Sequence, residues 1–308
     1  MGTASNWAVI LAGGEGARLR TFTRAVSGDD RPKQFCRLIG PQTLLAATRE
    51  RLHTIIAPER TICVVTRHHE PFYREEFADT RRPHVIEQPS NRGTTTAIAT
   101  ALARVAAHAP GAVIGFFPAD HHYDHPDVLR DVLRRAYRMA AADRHRVFLI
   151  GAEAERPETE YGWIQPGQVL SFREDFPAYE VSRFFEKPSA DDAAALLARG
   201  CLWNTFVLVG HHDAFVALLE AAHPGMYALA ASVDEAGRGD VEGQAAWPQM
   251  YAALPCSDFS REVLTARPER LAVLPLPGAG WTDLGHPFRV LDVMAMHGWT
   301  SPHDKAAS

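Results

Sequence analysis

A glycine-rich stretch opens the chemistry of this chain: Leu11-Ala12-Gly13-Gly14-Glu15-Gly16-Ala17-Arg18-Leu19, directly after an apolar run. Glycines behind a buried strand let the backbone approach a ligand, and successive N–H groups can cradle phosphate oxygens. A dinucleotide fingerprint would need a third glycine where Leu19 stands, and the Gly-Lys-Ser/Thr of a P-loop is absent. Arg31-Pro32-Lys33-Gln34-Phe35 follows. The cations Arg18 and Lys33 beside an anion cradle suit a triphosphate. Two acids stand out: Asp120, just past the run Ala112–Phe117, and Asp283 within Trp281-Thr282-Asp283-Leu284-Gly285. Taken alone, Asp120 reads better as a helix cap and Asp283 as a turn residue. The pairs His68-His69, His121-His122 and His211-His212 lack HExxH spacing and read as solvated loop residues, with His121 placed to orient Asp120 or a phosphate. There is no Gly-x-Ser-x-Gly elbow for hydrolase chemistry.

The elements that must carry these residues alternate. Trp7–Leu11 reads as a buried parallel strand, and Leu44, Leu45, Thr48, Leu52 and Ile55 recur at helical spacing. Strand-like Thr61–Thr66, helix-like Pro71–Ala78, strand Val85–Glu87, helix Ala97–Ala107 and strand Ala112–Phe117 follow. A helix behind Pro126 is predicted to expose Arg130, Arg134, Arg135 and Arg138, and Val147–Ala152 completes the series. This βαβ alternation predicts an α/β fold, an open, mostly parallel sheet with helices on both faces and ligands beyond the strands' carboxyl ends. The second half is less regular: a Gly/Pro-rich stretch at 161–177, strand Val181–Glu186, helix Ala190–Arg199 and strand Leu202–Val209.

Composition narrows the classes. With 308 residues and 46% apolar content, the chain excludes disorder and small disulfide scaffolds. A net charge of -5 argues against a nucleic-acid partner, because no global positive field recruits a polyanion. No stretch approaches the roughly 20 apolar residues of a membrane span, and no signal peptide is visible, so a cytoplasmic protein is expected. Cys36, Cys63, Cys201 and Cys256 lack metal-ligand spacing and are expected to be buried thiols in a reducing compartment.

Together these segments resemble the sugar-1-phosphate nucleotidyltransferases, most closely the mannose-1-phosphate guanylyltransferases. The pattern Gly-Gly-x-Gly-x-Arg-Leu followed by Pro-Lys-Gln-Phe is matched at Gly13–Leu19 and Pro32–Phe35. Gln88-Pro89, Asn91-Arg92-Gly93-Thr94, Pro118-Ala119-Asp120-His121, Tyr161-Gly162, Glu186-Lys187-Pro188, Trp203-Asn204 and Trp281–Gly285 follow in the family's order. The resemblance implies a Rossmann-like, nucleotide-diphospho-sugar transferase-like fold with a sugar-binding lobe. It implies nucleotide binding by Leu11, Ala12, Gly13, Gly14, Gly16, Gln88, Gly93 and Thr94, the base lying near Gln88 and Gly93. It makes Arg18 and Lys33 the catalytic cations, and Asp120 and Asp283 the ligands of Mg²⁺. Gly162, Glu186, Lys187 and Asn204 would hold the sugar phosphate. The partners implied are an NTP, GTP by preference, and a sugar-1-phosphate, mannose-1-phosphate by preference; a homodimer is compatible with it. The same chemistry with glucose-1-phosphate, UTP or dTTP is the alternative, and a catalytically silent nucleotide-sugar sensor is another.

This chain departs from the family pattern at Arg20–Thr23, Thr94–Ala97, Thr205-Phe206 and Ser257–Phe259, none of which removes a phosphate or metal ligand. Length alone suggests about two domains. Site residues scattered from Gly13 to Asp283 predict instead one nucleotidyltransferase domain over 1–300. Its halves would be a nucleotide-binding part at about 1–155 and a sugar-phosphate part at 156–300, with 301–308 a frayed tail. The stretch after the last motif is too short for the β-helix or isomerase module that some relatives carry.

Overall fold

A computed structural model describes residues 5–78, 83–171, 177–239 and 241–299. The expected tail at 301–308 lies outside them. Its strands are β1 (Asn6–Leu11), β2 (Thr61–Thr66), β3 (His84–Gln88), β4 (Val113–Pro118), β5 (His122–Tyr123), β6 (Val147–Glu153), β7 (Gly162–Ser171), β8 (Ala178–Glu186), β9 (Leu202–His211), β10 (Leu271–Leu276) and β11 (Trp281–Thr282). The helices are α1 (Arg20–Ser27), α2 (Leu44–His53), α3 (Glu70–Glu76), α4 (Gly93–His108), α5 (Pro126–Ala142), α6 (Ala190–Ala198), α7 (His212–Ala222), α8 (Met226–Arg238), α9 (Val241–Ala252) and α10 (Pro287–Met296).

Nine strands form one sheet in the order β3-β2-β1-β4-β9-β6-β10-β8-β7. It is mostly parallel: β8 and β9 run against the other seven. Alternation along β1 divides the core between the two faces. Ala8 and Ile10 pack with Cys63, Val65 and the apolar side of α5, whereas Trp7 and Val9 pack with Ile62, Val64 and the buried residues of α4 and α7. Because successive side chains of a strand point to opposite faces, the continuous apolar runs of β1 and β2 need helices on both sides. Thr43 caps α2 by accepting the Ala46 N–H, Ser189 caps α6 at Asp192 N, and Pro126 begins α5.

Several expectations need correction. The Gly/Pro-rich stretch is not irregular but contains the ten-residue strand β7. Pro166 and Gly167 disguise it, and the β7–β8 register shifts around Pro166, where a missing N–H is tolerated. Residues 172–176 of that stretch fall outside the described ones. Helix α4 begins at Gly93, four residues before the Ala-rich run, because Thr94–Thr96 make side-chain bonds to the 255–259 segment that hold them in the first turn. Arg135 is buried within α5, not on its solvated face. His69, His121 and His211 are not solvated loop residues: His69 and His211 are buried, and the His121 side chain is enclosed as well. Cys256 is exposed.

Candidate active site

Register places the two principal loops side by side. Leu11 pairs with Pro118 at the carboxyl ends of β1 and β4, and the Ala119 N–H donates to the Leu11 carbonyl at 3.2 Å. The glycine loop and Asp120 therefore leave the sheet together, at the edge where such folds bind ligands. A two-stranded ribbon then brings in the distant acid: Trp281 pairs with Tyr123 and Thr282 with His122, so Asp283 lies against the Asp120–His121 turn.

Lys33 sits between the two acids. Its Nζ donates to the Asp283 carbonyl at 2.6 Å and lies 3.2 Å from Asp120 Oδ2. The Asp283 side chain is tightly held: Oδ1 accepts from the Tyr161 hydroxyl (3.0 Å), the Gly285 N–H (2.8 Å) and Arg289 Nη1 (2.7 Å). Burial would raise its pKa, but Lys33, His121, Arg289 and the Gly285 N–H outweigh that and hold it at about 2. Asp283 is thus a fixed carboxylate. Burial pulls His121 down to about 4, with Lys33 adding to it against the pull of Asp120. Its neutral ring accepts at Nδ1 from Trp281 Nε1 (3.2 Å), which leaves the proton on Nε2, 3.9 Å from Asp120 Oδ1.

Two cavities meet at Asp120 and His121. The larger, about 510 Å³, is lined by Leu11, Gly13, Gly14, Gln88, Gly93 and Thr94 on one side and by Phe206 and Ser257–Asp258 on the other. The smaller, about 370 Å³, is lined by Gly16, Arg18, Lys33, Asp120, Asp283 and Gly285. Ala12 lines neither: its N–H donates to Val64 O and its carbonyl accepts from the buried Gln34 amide, so it supports the loop. Gln34 also donates to Gly14 O at 2.8 Å. Arg18 is half-exposed and paired with Glu160 at 3.0 Å. Gln88 is buried and donates to the Tyr251 hydroxyl.

Gly93 takes φ +82°, and a Cβ there would collide with the Ser257 carbonyl. Gly93→Ala is therefore expected to cost at least about 2 kcal/mol. Thermal unfolding would read this. Wild-type values would mean that the 257 backbone does not rest on the start of α4.

Gly162, Glu186, Lys187 and Asn204 gather as a separate group beside the larger cavity. A Cβ on Gly162 would meet Glu186 Oε2 at 2.8 Å and Asn204 Cβ at 3.3 Å. Lys187 Nζ lies 4.0 Å from Glu186 Oε1 and is half-exposed. Burial, reinforced by Asp258 and opposed by Lys187 and Arg261, pushes Glu186 up to about 7. Asp258 and Arg261 also line the larger cavity, which joins this group to it. Among the described residues, three non-glycines have positive φ: Lys187, Phe206 and Leu284. All three flank the site, where such strain, of order 1–3 kcal/mol each, tends to be kept. Asn204 Oδ1 accepts the Phe206 N–H at 3.1 Å and helps to hold that bend.

Arg289 is the residue that sequence reasoning missed. Only 3% exposed, it donates to Asp283 and to Glu158 (2.7 Å each) and to Glu160 (3.3 Å), and stacks over Tyr161 at 4.6 Å. Its phase was a usable signal: Arg289 shares the buried side of α10 with Val290, Val293 and Met294. A charge on an apolar helix face requires a buried counter-charge.

The donor set fits a divalent cation of the hard, oxygen-seeking kind. Two carboxylates face one cavity, and one of them is held ionised by groups that occupy Oδ1.

Comparison with known proteins agrees on one family. The profile of the nucleotidyl transferase family matches residues 7–297. The chain is 28% identical over 290 residues to a mannose-1-phosphate guanylyltransferase of Escherichia coli strain K12, covering 92% of this chain and 59% of that protein. It is 30% identical over 285 residues to one of Salmonella typhimurium strain LT2, covering 90% and 57%. This chain thus spans under three fifths of the length of these curated relatives. A solved structure from Thermus thermophilus, described as a mannose-1-phosphate geranyltransferase, superposes with a TM-score of 0.78 at 29% identity, over 94% of this chain and 79% of that one.

Proposed function

The chain belongs to the nucleotidyl transferase family, and on that premise we propose that it joins an NTP to a sugar-1-phosphate and releases pyrophosphate. The observation that carries this reading is the meeting of the two cavities at Asp120, with Lys33 spanning to Asp283. The larger cavity suits a nucleoside and the smaller a polyphosphate. A sugar-phosphate oxygen would attack the α-phosphorus in line; the bond from that phosphorus to the bridging oxygen breaks, and pyrophosphate leaves toward Lys33 and Arg18. No general base is invoked, because a phosphate dianion is already a competent nucleophile. The work of these residues is positioning and charge stabilisation. Asp120 and Asp283 would hold Mg²⁺, which when bound neutralises phosphate charge.

GTP and mannose-1-phosphate are the substrates we propose, supported by the names of the Escherichia coli and Salmonella relatives. Four cysteines without disulfides among the described residues suit the reducing cytoplasm we infer for it. Pyrophosphate release across a panel of NTPs and sugar-1-phosphates tests the reading. The largest kcat/KM is expected with GTP and mannose-1-phosphate; a different preferred pair would overturn the specificity, and no release with any pair would overturn the activity.

Glu186 gives a pH signature. Its folded pKa, about 7, lies above the ordinary 4.5, so between these values the folded chain keeps a proton that the unfolded chain has lost. Stability should therefore fall as pH rises from 4.5 to 7, by up to about 3 kcal/mol, and flatten above that. Urea midpoints across this range should show that component in the wild type and not in Glu186→Gln; identical slopes would contradict it.

A further inference from the structure

We propose that His122, Asp124 and His297 form a second cation site, for a divalent transition ion of the Zn²⁺ class, which fastens the end of α10 to the β5–β11 ribbon. His122 Nε2 lies 2.9 Å and His297 Nε2 2.8 Å from Asp124 Oδ1, and the three ligand atoms fall within 4.8 Å of one another. Metal–ligand bonds of about 2.0–2.2 Å in a tetrahedral set require ligand atoms roughly 3.3 Å apart, so the side chains need only a small spreading. Two imidazoles and one carboxylate favour such an ion over Mg²⁺, which prefers oxygen alone.

The surroundings hold the three groups in place. The Asp124 N–H donates to Gly280 O at 3.3 Å, and a Cβ at Gly280 would collide with Asp124 Oδ2, so the carboxylate lies across that glycine with Oδ1 turned to the imidazoles. His297 stacks on Trp299 at 4.6 Å and meets the His122 ring edge-on at 5.6 Å. A cavity of about 170 Å³ adjoins Asp124 and the same end of α10, lined also by Asp292 and Met296. Occupancy would matter beyond the site itself. Helix α10 carries Arg289, which grips Asp283, and the ribbon carries the turn that follows Asp120. A second cluster whose ligand atoms lie as close together, Glu15 with His68 and His69, is looser, at 3.1 and 3.6 Å, and serves as a control.

The test is calorimetric titration of the full chain with Zn²⁺ in excess Mg²⁺, which competes with Zn²⁺ at sites built from carboxylates alone. Parallel Co²⁺ spectra and thermal melts complete it. Expected is a Zn²⁺ ion bound with micromolar or tighter affinity, a raised Tm, and visible Co²⁺ bands of mixed nitrogen and oxygen coordination. His122→Ala and His297→Ala, checked for wild-type circular dichroism, should each weaken binding by about tenfold or more, and His68→Ala should not. Absence of binding overturns the proposal, as does binding that His68→Ala removes, or binding unaffected by both His122→Ala and His297→Ala.

Discussion

Asp120→Ala is expected to lower kcat by about 10³-fold or more while leaving the fold in place. Asp120 is partly open to the smaller cavity, and it pairs at 3.2 Å with Lys33, which also has its bond to the Asp283 carbonyl to hold it when Asp120 is gone. The loss therefore falls on the site and not on the core. Circular dichroism and a Tm within a few degrees of wild type should accompany the loss of turnover. Asp120→Asn, which preserves size, should be almost as inactive, because a neutral amide is a poor ligand for a divalent cation. Near-normal turnover in either variant would remove Asp120 from the chemistry and with it the metal assignment.

The second large effect is on stability. Arg289→Leu removes the leading counter-charge of Glu158 and one of the cations that hold Asp283 ionised, beside a buried position on α10, a class of change that costs about 3–5 kcal/mol. For a chain of this size that corresponds to a fall in Tm of about 10 °C. The effect has a pH signature when measured on metal-free protein. The folded pKa of Asp283, about 2, lies below the ordinary 3.8, so its contribution is present above 3.8 and is lost as pH falls toward 2. Removing Arg289 raises that folded pKa, and acid unfolding of the variant should begin at higher pH. A variant with an unchanged Tm and the wild-type acid limb would show that the Arg289 cluster carries no net stabilisation.

Local signals made the first half readable. The β-branched run of β2 and the apolar run of β1 need no distant information, and the glycine loop announces itself by composition. Pro166 and Gly167 concealed β7, since the pairing with β8 and β9 that overrides their poor strand propensity is a tertiary fact. The site followed the same rule. Lys33 and Asp283 are 250 positions apart, and only the ribbon pairing Trp281 with Tyr123 shows that they touch. Arg289 was legible as a misplaced charge, but its three acidic partners were not, because their approach depends on how α10 sits against Tyr161 and the 158–160 loop.

The central claim is that bond-making occurs at the α-phosphorus, and positional labelling tests it most directly. Enzyme, Mg²⁺ and sugar-1-phosphate are incubated with GTP labelled at either the α- or the γ-phosphate, and the products are separated. The account predicts α-label in a nucleotide sugar and γ-label in pyrophosphate, in equal amounts. Appearance of γ-label on the sugar or as inorganic phosphate, with the α-label left in GDP, would contradict it.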